Sequence, residues 1–115
     1  MASEQSPLTV IRSSTAIDEL DGIWRWNAAR YGAPHADTYL QYLKESIAGL
    51  ASGYARGKTV STRPDLHYVV IRRRAGGHGH IAVYKFDERN VHVLHIFHSA
   101  QDWQTKLKEE AEEDK

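Results

Sequence analysis

The spacing of apolar residues along the chain alternates between two periods, and each change of period predicts a new element. Leu8 to Arg12 (LTVIR) is short, β-branched and preceded by Pro7, which predicts a first strand near a sheet edge. Ser14 and Thr15 then offer N-cap oxygens. Asp18 stands three residues after Thr15 as a capping-box partner, and Glu19 and Asp21 lie near the positive helix end. From there apolar side chains fall at Ile17, Leu20, Ile23, Trp24 and Tyr31, close to a 3.6-residue period. Arg25, Arg30 and the acids take the other side, and Gly32 stops the helix. Pro34 is placed as the first residue of a second helix, whose stripe runs Ala36, Tyr39, Leu40, Leu43, Ile47 and Leu50 before Gly53 closes it. Two helices joined across only Gly32 and Ala33 must lie antiparallel, as an αα-hairpin.

Beyond Gly53 the period falls to two. Gly57, Lys58 and the RPD of Arg63 to Asp65 read as an irregular connection, with Pro64 arguing against helix. LHYVVIRRR (Leu66 to Arg74), HIAVYKFD (His80 to Asp87) and VHVLHIFH (Val91 to His98) are rich in β-branched and aromatic residues. Gly76, Gly77 and Gly79 separate the first two runs and Glu88 to Asn90 the others, so the three form an antiparallel meander. In the middle run Ala82, Tyr84 and Phe86 face one way, and Ile81 and Val83 face the other with Lys85 and Asp87. Apolar residues on both faces call for two covers: the hairpin on one side, a partner or the chain end on the other. Trp103 and Leu107 suit a last short helix, and 108–115 reads as frayed. The fold class is α+β: an N-terminal strand, a helical hairpin packed on an antiparallel sheet with a C-terminal meander, and a short C-terminal helix. One domain spans 1–115, with its core at about 8–103.

Composition changes this picture in three ways. The 115 residues hold 15 basic and 15 acidic side chains, so no whole-molecule field draws the chain onto nucleic acid or membrane. The charge is unevenly spread, however. Arg56 to His98 carries eight cations against three anions, and Lys106 to Lys115 carries three against five, so the second half offers a moderately basic surface to an acidic partner. The absence of cysteine removes disulfides, thiolate zinc sites and thiol nucleophiles. MASEQSPLTV has no charged leader ahead of an apolar run, and no segment approaches the ~20 apolar residues that cross a bilayer, so a soluble, cytoplasmic protein is expected.

The order of elements meets particular residues. Ala16, Leu20, Ile23 and Trp24 in the first helix, then Tyr31, Gly32 and Ala36 at the hairpin, are followed by Tyr39, Leu43 and Leu50. Tyr68 and Arg72, His80 and Tyr84, and finally Val93, Ile96, His98 and Asp102 continue the series. With these residues in this order, the chain resembles the ParE branch of the RelE/ParE superfamily, the toxins of type II toxin–antitoxin modules also called plasmid stabilisation proteins. The resemblance covers about residues 8 to 103. It departs from the family where a Pro often follows the second helix and this chain reads ASGYARGKT. It implies a growth-arresting toxin that inhibits DNA gyrase without a cofactor and is neutralised by a small, acidic, partly disordered antitoxin. Direct contact with nucleic acid is not implied.

Some RelE-type relatives cut messenger RNA on the ribosome, a reaction that needs cations on the scissile phosphate and a group to move the 2′-OH proton. For that alternative the candidates are Lys58, Arg63, Arg72 and Arg74 for charge, with His98, His80 or Tyr84 for the proton. The lysine cluster that ribosome-bound nucleases carry is absent, since only Lys58 lies in the relevant connection. A third reading is a degenerate, non-toxic binding module. Candidate target contacts are Trp26 and Arg30 on the outer side of the first helix and Arg72, Arg73 and Arg74 on the basic strand. Candidate antitoxin contacts are Trp24, Tyr39, Leu43, Tyr84 and Phe86. Trp24, Tyr31 and Tyr39 also read as packing between hairpin and sheet. Seven histidines raise the question of a metal. His92, His95 and His98 fall three apart on a strand and cannot converge, which leaves only His78 with His80, and no metal site is expected.

Overall fold

The computed structural model describes residues 6–73 and 79–113, the last three of these as backbone only. The elements run β1 (Thr9–Arg12), α1 (Ser14–Tyr31), α2 (Ala33–Ala48), α3 (Leu50–Gly53), a 3₁₀ turn (Tyr54–Arg56), β2 (Lys58–Val60), β3 (Arg63–Ile71), β4 (His80–Phe86), β5 (Asn90–His98) and α4 (Trp103–Glu113). Five strands form one sheet in the order β1-β5-β4-β3-β2. β3, β4 and β5 make the expected up-and-down ribbon. β1 lies at an edge, but it joins β5 in parallel, Thr9 opposite Asn90 and Arg12 opposite Val93, so the sheet is mixed.

The two faces divide as the alternation requires. Leu20, Leu43 and Ile47 from the hairpin bury against Ala82, Tyr84, Val91, Val93 and Ile96. On the other face Val60, Leu66, Ile81, Val83 and Phe97 are covered by Trp103 and Leu107 of α4. Each fully buried aliphatic side chain contributes roughly 1.5–3 kcal/mol. The chain end is therefore the second cover. α4 continues to Glu113, through the segment expected to fray.

The start of α1 differs from the expectation at Ser14, Thr15 and Asp18. The cap is Ser13, whose Oγ accepts from Ala16 N at 3.0 Å and donates to the Leu94 carbonyl at 2.9 Å. Ser13 N also donates to the Val93 carbonyl, so the last residue bonded to the sheet is the one that opens the helix. The hairpin turns on Gly32 alone, at φ 92° and ψ 159°, a region that L side chains avoid. Ala33 leads α2 and Pro34 is its second residue; α2 ends at Ala48, and the four-residue α3 carries the chain on to Gly53.

Two further expectations are corrected. Tyr31 is 57 % exposed and does not pack between hairpin and sheet. It lies in the last turn of α1, where its ring neighbours are Trp26 and His35 of the hairpin itself. The connection after the helices also contains strand. β2 pairs with β3, Lys58 opposite Tyr68 and Thr59 opposite His67, before a register shift reaches Val60 opposite Arg63. That irregularity places Pro64 where the ladder does not need its missing N–H. β3 ends at Ile71, where its partner β4 begins at His80.

Candidate functional site

Three surfaces gather the chemistry-bearing residues. The first is the sheet end where Ile71, His80 and His98 are in register across three strands. α2 leans over it: Tyr39 Oη lies 2.6 Å from His80 Nδ1, and Tyr42 Oη donates to the Arg72 carbonyl. Burial, reinforced by His98, pushes His80 down to about 4, so it is neutral near pH 7. Burial also raises Tyr39, with Tyr42 adding to the effect and Arg73 opposing it. Two neutral groups therefore meet across this hydrogen bond, and the His80 tautomer sets which of them donates. The His98 ring stands 5.2 Å from that of His80, and its Nδ1 accepts from Ala100 N at 3.0 Å. Arg72 and Arg73 are exposed, the latter's guanidinium 5.7 Å from the Tyr42 ring. Arg74 and His78 lie outside the described residues.

The ribonuclease candidates do not assemble into one constellation. Tyr84 is fully buried and donates its hydroxyl to the Tyr54 carbonyl at 2.6 Å, and burial raises its pKa, so it cannot reach a substrate proton. Lys58 pairs with Tyr68 in β2, about 10 Å along the strand from Ile71. Arg63 is paired with Asp65 at 3.3 Å, at the start of β3. Among the described candidates Arg72, His80 and His98 share an end of the sheet, and His80 is buried there against Tyr39.

The second surface is the outer side of the hairpin. Trp26 is 53 % exposed, and the Arg30 guanidinium lies 4.7 Å from its ring centroid. Of the candidate antitoxin contacts, Trp24 is half-buried and donates Nε1–H to Asp37 at 2.8 Å, Tyr39 is half-buried on His80, and Phe86 is half-buried against Tyr54 and His67. Leu43 and Tyr84 are interior, with no surface to offer a partner while the domain stays closed.

The third grouping escaped the sequence reading. His95 bridges Glu19 of α1 at 3.3 Å and Glu110 of α4 at 3.0 Å, while the other Glu19 oxygen accepts from Ile96 N at 2.7 Å. Burial works against the imidazolium, but the Glu19 and Glu110 carboxylates outweigh it, and the His95 pKa is raised. The available signal was a histidine set between Leu94 and Ile96 on β5, in a chain whose acids concentrate in α1 and in the tail. His92 instead approaches Asp87 at 3.6 Å, so the histidine series serves separate partners. Among the described residues no group of three His, Cys, Asp or Glu could hold a metal ion. None of the described helices is long and apolar enough to cross a membrane.

A helical hairpin on a five-stranded mixed sheet, with a basic sheet end and an exposed aromatic on the hairpin, defines a small α+β domain built around surfaces. The model of the ParE toxin family, "ParE toxin of type II toxin-antitoxin system, parDE", matches residues 10–103, and the chain belongs to that family. A solved structure of a chromosomal ParDE toxin–antitoxin system from P. aeruginosa is similar in fold, with a TM-score of 0.69 over 81 % of this chain and 97 % of that one, at 17 % identity. No curated protein matches the chain. Family membership places it on the toxin side of a toxin–antitoxin pair and implies an antitoxin partner.

Proposed function

We propose that this toxin arrests growth by inhibiting DNA gyrase and is neutralised by a small, acidic, partly disordered antitoxin encoded beside it. The observation that carries the reading is the family match over residues 10–103. The scatter of the ribonuclease candidates supports it: Tyr84 in the core, Lys58 on an edge strand and Arg63 held by Asp65. In this reading the toxin binds gyrase and stabilises a state in which cleaved DNA is not resealed. The target contacts are Trp26 and Arg30 on the hairpin and Arg72 and Arg73 at the sheet end. The antitoxin arm folds as it docks, with Trp24, Tyr39 and Phe86 as its partly exposed apolar anchors.

The test pairs gyrase supercoiling and cleavage assays with a messenger-RNA cleavage assay on one preparation. Loss of supercoiling with accumulated cleaved DNA, and intact RNA, is the expected result; RNA cut while gyrase is untouched would overturn the proposal. The shared position of Arg72 and His98 gives the ribonuclease alternative its own check. If His98→Ala or Arg72→Ala abolishes growth arrest in a protein that still folds and binds antitoxin, and gyrase is unaffected by the parent, the nuclease reading replaces this one.

A further inference from the structure

β1 forms one edge of the sheet, and its hydrogen-bond pattern fixes which backbone groups that edge presents. Thr9 N donates to the Arg89 carbonyl and Ser13 N to the Val93 carbonyl, so in the parallel ladder Thr9 and Ile11 turn their backbone groups toward β5. Val10 and Arg12 therefore turn theirs the other way, out of the sheet, where neither has a partner among the described residues. The open stretch is short and closed at both ends. Pro7 has no N–H, and Leu8 gives its own to the Ala51 carbonyl at 2.9 Å. After Arg12 the chain turns into α1, and the edge of β5 that continues past β1 is occupied by side chains. Ser13 Oγ donates to the Leu94 carbonyl, Glu19 accepts from Ile96 N, and Gln101 Oε1 accepts from His98 N.

A second β1 fits this stretch in length and in pattern. With a two-fold axis at Ile11 the two strands run antiparallel, and Val10 of each copy exchanges both of its bonds with Arg12 of the other, so every outward group on both strands is paired. Neighbouring registers fail. Centred on Val10, the pair would call on the Leu8 N–H already given to Ala51; centred on Arg12, it would call on Ser14 inside α1. At the axis the two Ile11 residues form the close, non-hydrogen-bonded pair, with Cα atoms about 4.5 Å apart. Ile11 is 42 % exposed, and this contact covers it. A longer foreign strand would overhang both closed ends, whereas a second β1 stops where the first one does. The zero formal charge of the chain sets no net repulsion between copies. We infer that β1 is a docking strand for a second copy of this chain, paired edge to edge and antiparallel about Ile11, so that two five-stranded sheets become one. The inference does not rest on the gyrase reading.

One pair of four-residue strands is far smaller than the ~1,200–2,000 Å² of a stable complex, so a dissociation constant of about 0.1–1 mM is expected. The two Arg12 side chains lie on a diagonal across the pair, so added salt should tighten the dimer rather than loosen it. Sedimentation equilibrium of the full-length protein up to about 2 mM should show monomer passing to dimer and no further. Over the same range, amide exchange at Val10 and Arg12 should slow at least about twofold, while Ile11, whose N–H already faces β5, stays unchanged. Ile11→Lys and Ile11→Glu, both at an exposed position, should each weaken association roughly tenfold or more, because like charges then face each other across the axis. An equal mixture of the two variants should associate more tightly than either alone, a rescue that misfolded variants would not give. A monomer at every concentration would overturn the inference, as would growth beyond a dimer. Slowed exchange at Trp26–Tyr31 or Val69–Ile71 in place of Val10 and Arg12, or a mixture no tighter than its components, would overturn it equally.

Discussion

At the scale of single residues, the shortest contact that a Cβ would make at any described glycine falls at one with ordinary backbone angles. Gly57 sits at φ −67°, which any residue adopts, yet a Cβ there would lie 1.9 Å from Tyr84 Oη, 2.8 Å from Tyr84 Cζ and 3.1 Å from the Tyr68 carbonyl oxygen. The requirement is for space, and it is set by a buried phenol whose hydroxyl donates to the Tyr54 carbonyl at 2.6 Å. Gly57→Ala must displace that hydroxyl, and a cost of about 2–4 kcal/mol is expected from overpacking together with the lost hydrogen bond. Tyr84→Phe alone should cost about 1–2 kcal/mol. Phe vacates the oxygen's volume, so the double variant should be more stable than the sum of the single costs implies, though short of full rescue because the ring carbon remains. Urea unfolding of the three variants measures this coupling, and simple additivity would show that the clash is relieved elsewhere. Tyr84 was placed by alternation on the correct face of its strand, but its position as the roof over Gly57 needs the 3₁₀ turn and β2, neither of which leaves a periodic trace.

At the scale of elements, what could be read in the sequence was what repeats. α1, α2, β4 and β5 each bury a stripe or an alternating set long enough to declare its period, and Trp26 falls outside the α1 stripe by helical phase alone. β2 is three residues beside a glycine with one buried side chain, too short to show alternation. The parallel pairing of β1 with β5 was equally hidden, because nothing local in LTVIR specifies a partner some eighty positions away. The same holds for the bridge at His95, whose members come from α1, β5 and α4. This bridge predicts how α4 is held. Because Glu19 and Glu110 overcome burial and raise the His95 pKa, the fold favours the imidazolium. The contribution is fully present below the ordinary value of 6.5 and is lost as pH rises through the higher folded value. Amide exchange in α4, corrected for its intrinsic pH dependence, should therefore quicken as pH rises from below 6.5 through that higher folded value, and His95→Gln should remove most of that change. Protection of α4 that is insensitive to pH in the parent would mean that Trp103 and Leu107 hold the helix unaided.

At the scale of the whole molecule, the two ends of the chain complete one sheet, and this bears on whether the helical hairpin can exist by itself. Leu20, Leu43 and Ile47 have their buried neighbours on β4 and β5, and the N-cap of α1 is tied by Ser13 to the carbonyls of Val93 and Leu94. None of these partners lies before residue 80. Without them, α1 and α2 are helices of 18 and 16 residues carrying Gly22 and five β-branched residues (Thr15, Ile17, Ile23, Thr38, Ile47), close to the length at which isolated helices are marginal even in alanine-rich sequences. Their contact with each other buries one flank of each and leaves the sheet-facing stripe in water. A peptide of residues 13–53 is therefore expected to show well under half the helical circular dichroism of the same segment in the intact protein, and to gain helix only in helix-promoting solvent. If it instead keeps native helicity at low concentration, the hairpin is an autonomous unit, and the sheet is a platform added to it rather than the surface that holds it together.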